Sequence, residues 1–138
     1  MDNLPVILVV EDNEDDQRLV MRALSKGKTG CKVEIAEDGL AAVQYLFDPE
    51  SVRPRLVLLD LKLPKLNGLE VLTRIRSDER TKRLPVVIHT SSSEESDLVN
   101  CFDNGANSFV HKVVDYDQYI YRLVTLAEYW IQVNEPCA

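Results

Sequence analysis

The feature that most constrains this chain is a repeated alternation of short apolar runs with segments of helical period. Val6-Ile7-Leu8-Val9-Val10 is an unbroken Val/Ile-rich run of strand length, the pattern of a strand buried on both faces. From Asp15 to Leu24 the apolar residues Leu19, Val20, Ala23 and Leu24 share one helical face. Cys31 to Ala36 alternates Cys31, Val33 and Ile35 with Lys32 and Glu34, as a half-exposed strand does. Leu40 to Phe47 is expected to be a helix stopped by Asp48-Pro49. Leu56-Val57-Leu58-Leu59 is the third strand, ending at Asp60, and a loop with Pro64, Asn67 and Gly68 leads to a helix from Leu69 to Arg76. Pro85 to Ile88 is the fourth strand and runs into His89 and Thr90. Ser92 with Glu95 has the spacing of a capping box for a fourth helix, and Gly105 suits its left-handed end. Ser108 to His111 is the fifth strand, and Asp115 with Gln118 opens a last helix reaching about Val133.

Five strands alternating with five helices imply a parallel sheet covered on both faces and joined by right-handed crossovers. In 138 residues this is one domain, with no room for an output domain of ordinary size. It fits the α/β flavodoxin-like doubly wound architecture, a (βα)5 sheet in the order 2-1-3-4-5. Sites in such sheets form beyond the carboxyl ends of the strands. The residues expected there are Glu11 and Asp12 after the first strand, Asp60 after the third, Thr90 after the fourth and Lys112 after the fifth.

Three clustered carboxylates repel one another unless a cation joins them. Mg²⁺ suits this set, because it takes oxygen ligands and keeps waters that phosphate oxygens can replace. Lys112 supplies a charge for a phosphoryl group and Thr90 a hydroxyl donor. The combination meets the needs of phosphoryl transfer, with Asp60 as the nucleophile and Glu11 and Asp12 as metal ligands.

Charge and composition exclude other classes. Sixteen basic against 23 acidic residues leave a net charge of −7, the reverse of a nucleic-acid footprint. No apolar run approaches the ~20 residues that span a bilayer, and Met1-Asp2-Asn3-Leu4-Pro5 lacks a signal peptide's basic and apolar regions. A cytoplasmic protein is therefore expected, with no membrane and no nucleic-acid partner. Cys31, Cys101 and Cys137 have no metal spacing and suit a reducing compartment, the first two as small core residues.

The chain resembles receiver domains of two-component response regulators from about Val6 to Ala127. The matching pieces are Ile7-Leu8-Val9-Val10-Glu11-Asp12-Asn13, Leu58-Leu59-Asp60-Leu61-Lys62-Leu63-Pro64 with Gly68, Pro85-Val86-Val87-Ile88-His89-Thr90-Ser91, and Phe109-Val110-His111-Lys112. Each is weak alone, but four in order are specific. The resemblance implies a regulatory phosphoacceptor rather than an enzyme, with Asp60 receiving its phosphoryl group from a histidine kinase. It further implies Mg²⁺ held by Glu11, Asp12, Asp60 and the Lys62 carbonyl, and phosphate contacts from Thr90 and Lys112. Thr90 and Phe109 become a switch pair that reshapes the face of helix four, strand five and helix five. The Arg76-to-Leu84 connection and the ending Tyr129-Trp130-Ile131 with Asn134-Glu135-Pro136 resemble small single-domain responders of bacterial phytochrome kinases, which tend to dimerise through that face and the last helix. Val113 follows Lys112 where the family usually has proline, so a cis peptide is not expected there.

Plainer readings compete with some of these. Glu14, Asp15 and Asp16 are expected to do no more than complement the dipole of the first helix. His89 and His111 are expected to be packing residues. Tyr116, Tyr119, Ile120, Leu123, Val124, Ala127, Trp130 and Ile131 form the core stripe of the last helix, while Tyr121, Leu126, Tyr129 and Val133 add apolar surface for a dimer or partner. The rival functions are a receiver-like binder that works without phosphorylation and a hydrolase with an aspartyl phosphate. The hydrolase needs a second aspartate two residues after the nucleophile, where this chain has Lys62. A nucleotide binder lacks its glycine-rich loop.

Overall fold

A computed structural model describes residues 3–27 and 29–137; of the polar start read above, Met1 and Asp2 lie outside it. The strands are β1 (Val6–Val10), β2 (Lys32–Ala36), β3 (Leu56–Leu59), β4 (Val86–Thr90) and β5 (Ser108–His111). They form one parallel sheet in the order β2-β1-β3-β4-β5, as the alternation implies. The helices are α1 (Glu14–Lys26), α2 (Gly39–Phe47), α3 (Gly68–Ser77), α4 (Glu95–Asp103) and α5 (Tyr116–Ala127).

Successive strand residues point to opposite faces and so build two cores. Leu8, Val10, Val57, Leu59, Val86 and Ile88 join Ala42, Val71, Leu72, Ile75 and Cys101 under α2, α3 and α4. Ile7, Val9, Leu56, Leu58 and Val87 join Val20, Ala23, Leu24, Tyr119 and Leu123 under α1 and α5. The three inner strands are buried along their full length, as their unbroken apolar runs require.

Local signals explain most helix ends. Asn13, Asp38 and Asp115 cap α1, α2 and α5 by accepting backbone N–H bonds from Asp16, Ala41 and Gln118. Gly105, at φ +96°, closes α4, with its N–H bonded to Phe102 O and that of Ala106 to Cys101 O, a Schellman arrangement.

Four expectations need correction. Ser92 forms no capping box with Glu95, because α4 starts two residues later than expected, with Glu94 at its N-cap. The Ser92 hydroxyl instead donates to Asp97 Oδ2 at 2.5 Å and accepts the Glu94 N–H. Among the described residues the capping box is Asn67 with Glu70, at the start of α3. The last helix is not uniform: after Ala127 it widens into a π-helical segment, Glu128–Val133. Tyr116 is exposed on the last helix rather than in its core stripe, lying under the Lys26 ammonium at 5.7 Å. His111 is also exposed, since β5 is an edge strand, and its Nε2 meets the Ser91 carbonyl at 3.1 Å. His89 does pack, edge-on against Tyr119.

Candidate functional site

Sheet hydrogen bonds fix the site residues one step beyond the regular strands. The N–H of Glu11 donates to Ala36 O, that of Asp60 to Val10 O and that of Lys112 to Thr90 O. Residues distant in sequence thereby share one edge, and their side chains meet there. One carboxylate oxygen each from Glu11, Asp12 and Asp60 lies within 4.8 Å of the others. Glu11 and Asp60 are buried while Asp12 faces solvent, so the cluster has a closed floor and an open mouth.

Lys112 sits at the centre of the floor. Its Nζ donates to Glu11 Oε1 at 2.6 Å, to Asp60 Oδ2 at 2.9 Å and to Asp16 Oδ2 at 3.0 Å. All three ammonium protons are thus engaged. Burial alone lowers a lysine pKa, but the bonds and charges of Glu11 and Asp60 outweigh it and hold this one above its usual value. The ammonium is charged at neutral pH. Burial pushes the Glu11 carboxyl up to about 7, although Lys112 pulls against it. The charge of Asp60 adds to the effect of burial on Glu11.

The donor set is all oxygen, which selects a hard cation such as Mg²⁺ or Mn²⁺ over softer metals. Three carboxylates in reach of one point, with one of them raised in pKa, fit such an ion well. The cation and the Glu11 proton then compete for one oxygen. Apparent affinity is expected to be level above pH 7 and to fall by about tenfold per unit below it. Manganese binding followed by electron paramagnetic resonance from pH 8 to pH 5.5 measures this. Glu11→Gln should flatten the slope, and a flat wild-type profile would remove Glu11 from the ligand set.

Thr90 ends β4 fully buried, with its Oγ1 accepting the Ser92 N–H at 3.3 Å. Phe109 lies half-buried on β5 against the core under α4. The Lys62 N–H reaches toward Asp60 Oδ1 at 3.4 Å, so the loop after Asp60 lies against its carboxylate. No cis peptide occurs among the described residues.

One residue at the edge of this site escaped the sequence reading. Asp16 was expected only to complement the helix dipole, yet it holds Lys112 and accepts a bond from Tyr119 Oη at 3.1 Å. Burial, then the charge of Asp16 and its hydrogen bond, raise the Tyr119 pKa, so its hydroxyl remains a donor. The available signal was spacing: Asp16 stands in the first turn of α1, four residues after Asp12, facing the strand ends. His89 completes the layer with its ring 5.3 Å from that of Tyr119, and burial holds its pKa down near 4, so it is neutral.

Residues 7–124 match the family described as the response regulator receiver domain. The chain is 40% identical over 133 residues to the probable methanogenesis regulatory protein FilR2 of Methanothrix harundinacea, covering 94% of this chain and 85% of that one. It is 36% identical over 138 residues to response regulator Rcp1 of Synechocystis, covering 96% and 94%. The crystal structure of the Mn²⁺-bound form of response regulator Rcp1 matches with a TM-score of 0.91 at 34% identity, covering 97% of this chain and 99% of that one. That of the phosphorylated cyanobacterial phytochrome response regulator RcpA matches at 0.92, also at 34% identity, covering 98% and 99%. Among the described residues no helix is long and apolar enough to cross a membrane.

Proposed function

This chain belongs to the response regulator receiver family of two-component signalling, and from that premise we propose that Asp60 accepts a phosphoryl group from the phosphohistidine of a kinase in a Mg²⁺-dependent reaction. The observation that carries the reading is the buried Asp60 carboxylate, bonded to Lys112 and clustered with Glu11 and Asp12.

The chain's own residues divide the work. Asp60 presents a carboxylate oxygen to phosphorus; as that O–P bond forms, the donor's N–P bond breaks and its electron pair stays on the imidazole nitrogen. Glu11, Asp12, Asp60 and the Lys62 carbonyl would hold the cation, which supplies charge neutralisation for the transferring group. Lys112 exchanges a carboxylate partner for a phosphoryl oxygen, and the Thr90 hydroxyl turns from Ser92 to another. Phe109 then follows Thr90 inward as the second member of the switch. Water later cleaves the acyl phosphate, so the chain catalyses only its own phosphorylation and dephosphorylation.

Residues 7–124 act as the receiver domain, in the cytoplasm where a kinase is charged from ATP. Its signal then passes by protein contact. The α4–β5–α5 face and the terminal π-helical segment expose Val99, Phe102, Tyr121, Tyr129 and Val133, apolar surface that supports a homodimer there. Likeness to the phytochrome response regulator RcpA makes a phytochrome-type kinase the first donor to try.

Incubation with acetyl phosphate and Mg²⁺, read by intact mass, tests the acceptor. One phosphoryl adduct on wild type is expected, and none on Asp60→Asn or without the cation. Folded wild type that gains no adduct, and ignores beryllofluoride as well, would leave the phosphorylation-independent binder as the better reading.

A further inference from the structure

Lys112 has three protons and three carboxylate partners, and two of those partners are needed elsewhere once the site works. In the function proposed above, on which this inference rests, Glu11 turns to the cation and Asp60 becomes an acyl phosphate. Asp16 has neither duty. Its Oδ2 holds Lys112 at 3.0 Å, and its Oδ1 accepts the Tyr119 hydroxyl at 3.1 Å. Asp16 is on α1, Tyr119 is on α5, and those helices pack together over the same core.

We propose that Asp16 is a positioning residue that keeps Lys112 aimed at the phosphoryl group and ties its movement to α5 through the Tyr119 hydroxyl. As Glu11 and Asp60 give up the ammonium, it pivots about the one bond that persists. Displacement of Asp16 then draws on a hydroxyl that has this single acceptor, on a ring only 4% exposed. The ring cannot absorb the motion freely, because it packs against His89, the neighbour of Thr90 on β4. Movement of the lysine and movement of the threonine thus converge on Tyr119, from which α5 runs directly into the segment carrying Trp130. The bland alternative, an acid in the first turn of α1, explains the residue type but neither of its two bonds.

The test uses the whole chain, acetyl phosphate at saturating Mg²⁺, and three variants checked for folding by urea unfolding. Asp16→Asn keeps an acceptor for Tyr119 but loses the charge that holds Lys112. Its phosphorylation rate is expected to fall about tenfold, the worth of a charge-assisted bond, with the half-saturating Mg²⁺ concentration unchanged. Asp16→Glu should recover most of the rate, which a packing role would not predict. Tyr119→Phe should phosphorylate within about threefold of wild type, yet lose at least half of the Trp130 fluorescence change that beryllofluoride produces, as expected when one buried hydrogen bond is removed.

An unchanged rate in Asp16→Asn, a fall that follows weakened Mg²⁺ binding, or no rescue by glutamate would overturn the positioning role. A full Trp130 response in Tyr119→Phe, or none in wild type, would overturn the link to α5. Failure of the underlying reading looks different: wild type itself would take no phosphoryl group, and this inference would fall with it.

Discussion

Lys112→Met is expected to lose about 3–5 kcal/mol of stability at pH 8, the cost of removing one partner from a buried ionic cluster. Methionine preserves the length and apolar stem of the side chain, so the loss isolates the ammonium. Lys112 is only 10% exposed, and Glu11 and Asp60 are as sheltered, at 4% and 9%. Without the lysine their charges face each other with no compensation. The sign of the pH dependence follows from Glu11. Its pKa is raised already, to about 7, and removing Lys112 takes away the two influences that lower it most. A carboxyl whose folded pKa is raised contributes stability that is present below its unfolded pKa and is lost as pH rises through the folded value. The variant's deficit should therefore be smaller at pH 5 and widen above pH 7 by up to about 1.4 kcal/mol per pH unit. Saturating Mg²⁺ should restore much of the loss at pH 8, because it binds the native cluster only. Urea unfolding at both pH values, with and without the cation, provides the measurement. An equal loss under every condition would mean that packing, not charge, was removed.

Gly68→Ala should be as damaging for a different reason. A Cβ on Gly68 would stand 2.2 Å from the Asp60 carbonyl oxygen and 2.7 Å from Leu61 Cα. Both are main-chain atoms, so no rotamer change relieves the clash. The start of α3 must retreat from the Asp60 backbone or the backbone must shift, and the Gly68 N–H to Leu61 O bond resists the former. A destabilisation of about 3 kcal/mol is expected, at the upper end for overpacking. Divalent-metal affinity should fall at least about tenfold, since Asp60 and the Lys62 carbonyl move together, and small misplacements of that kind cost factors of this order. Gly27→Ala is the control. Its added methyl would meet Val124 Cγ1 at an ordinary 3.6 Å, and thermal unfolding should barely change. If both alanine variants behave alike, the close approach at Gly68 is not what shapes the loop.

What the sequence disclosed and what it withheld separate along a physical line. The strands were legible because burial on both faces leaves no polar residue inside the runs, as in Val6–Val10 and Leu56–Leu59. Strand ends then located Glu11, Asp60, Thr90 and Lys112 without knowledge of any helix packing. Asp16 was illegible because its role depends on which way α1 is rotated over the sheet and where α5 brings Tyr119. Five acids between positions 11 and 16 also made a dipole explanation sufficient for any one of them. Ser92 and Glu95 had a correct cap spacing, but a tertiary partner, Asp97, took the hydroxyl. Asn67 and Glu70 had the same kind of spacing, hidden by reading the segment as a loop. The widening of the last helix at Glu128 has no counterpart in the apolar pattern, which runs through it unbroken.

Glu11, Asp60 and Lys112 are separated by roughly fifty residues at each step, and each is fixed by hydrogen bonds between neighbouring strands. Parallel pairings of such long range form late, because loop closure must precede them. Lys112 in particular reaches its place only when β5 docks at the edge of the sheet. A nascent or half-folded chain therefore holds Asp60 without Lys112 and Glu11 gathered beside it. Under the proposed function, competence for phosphorylation and completion of the fold would be one event, and a half-folded copy would stay silent.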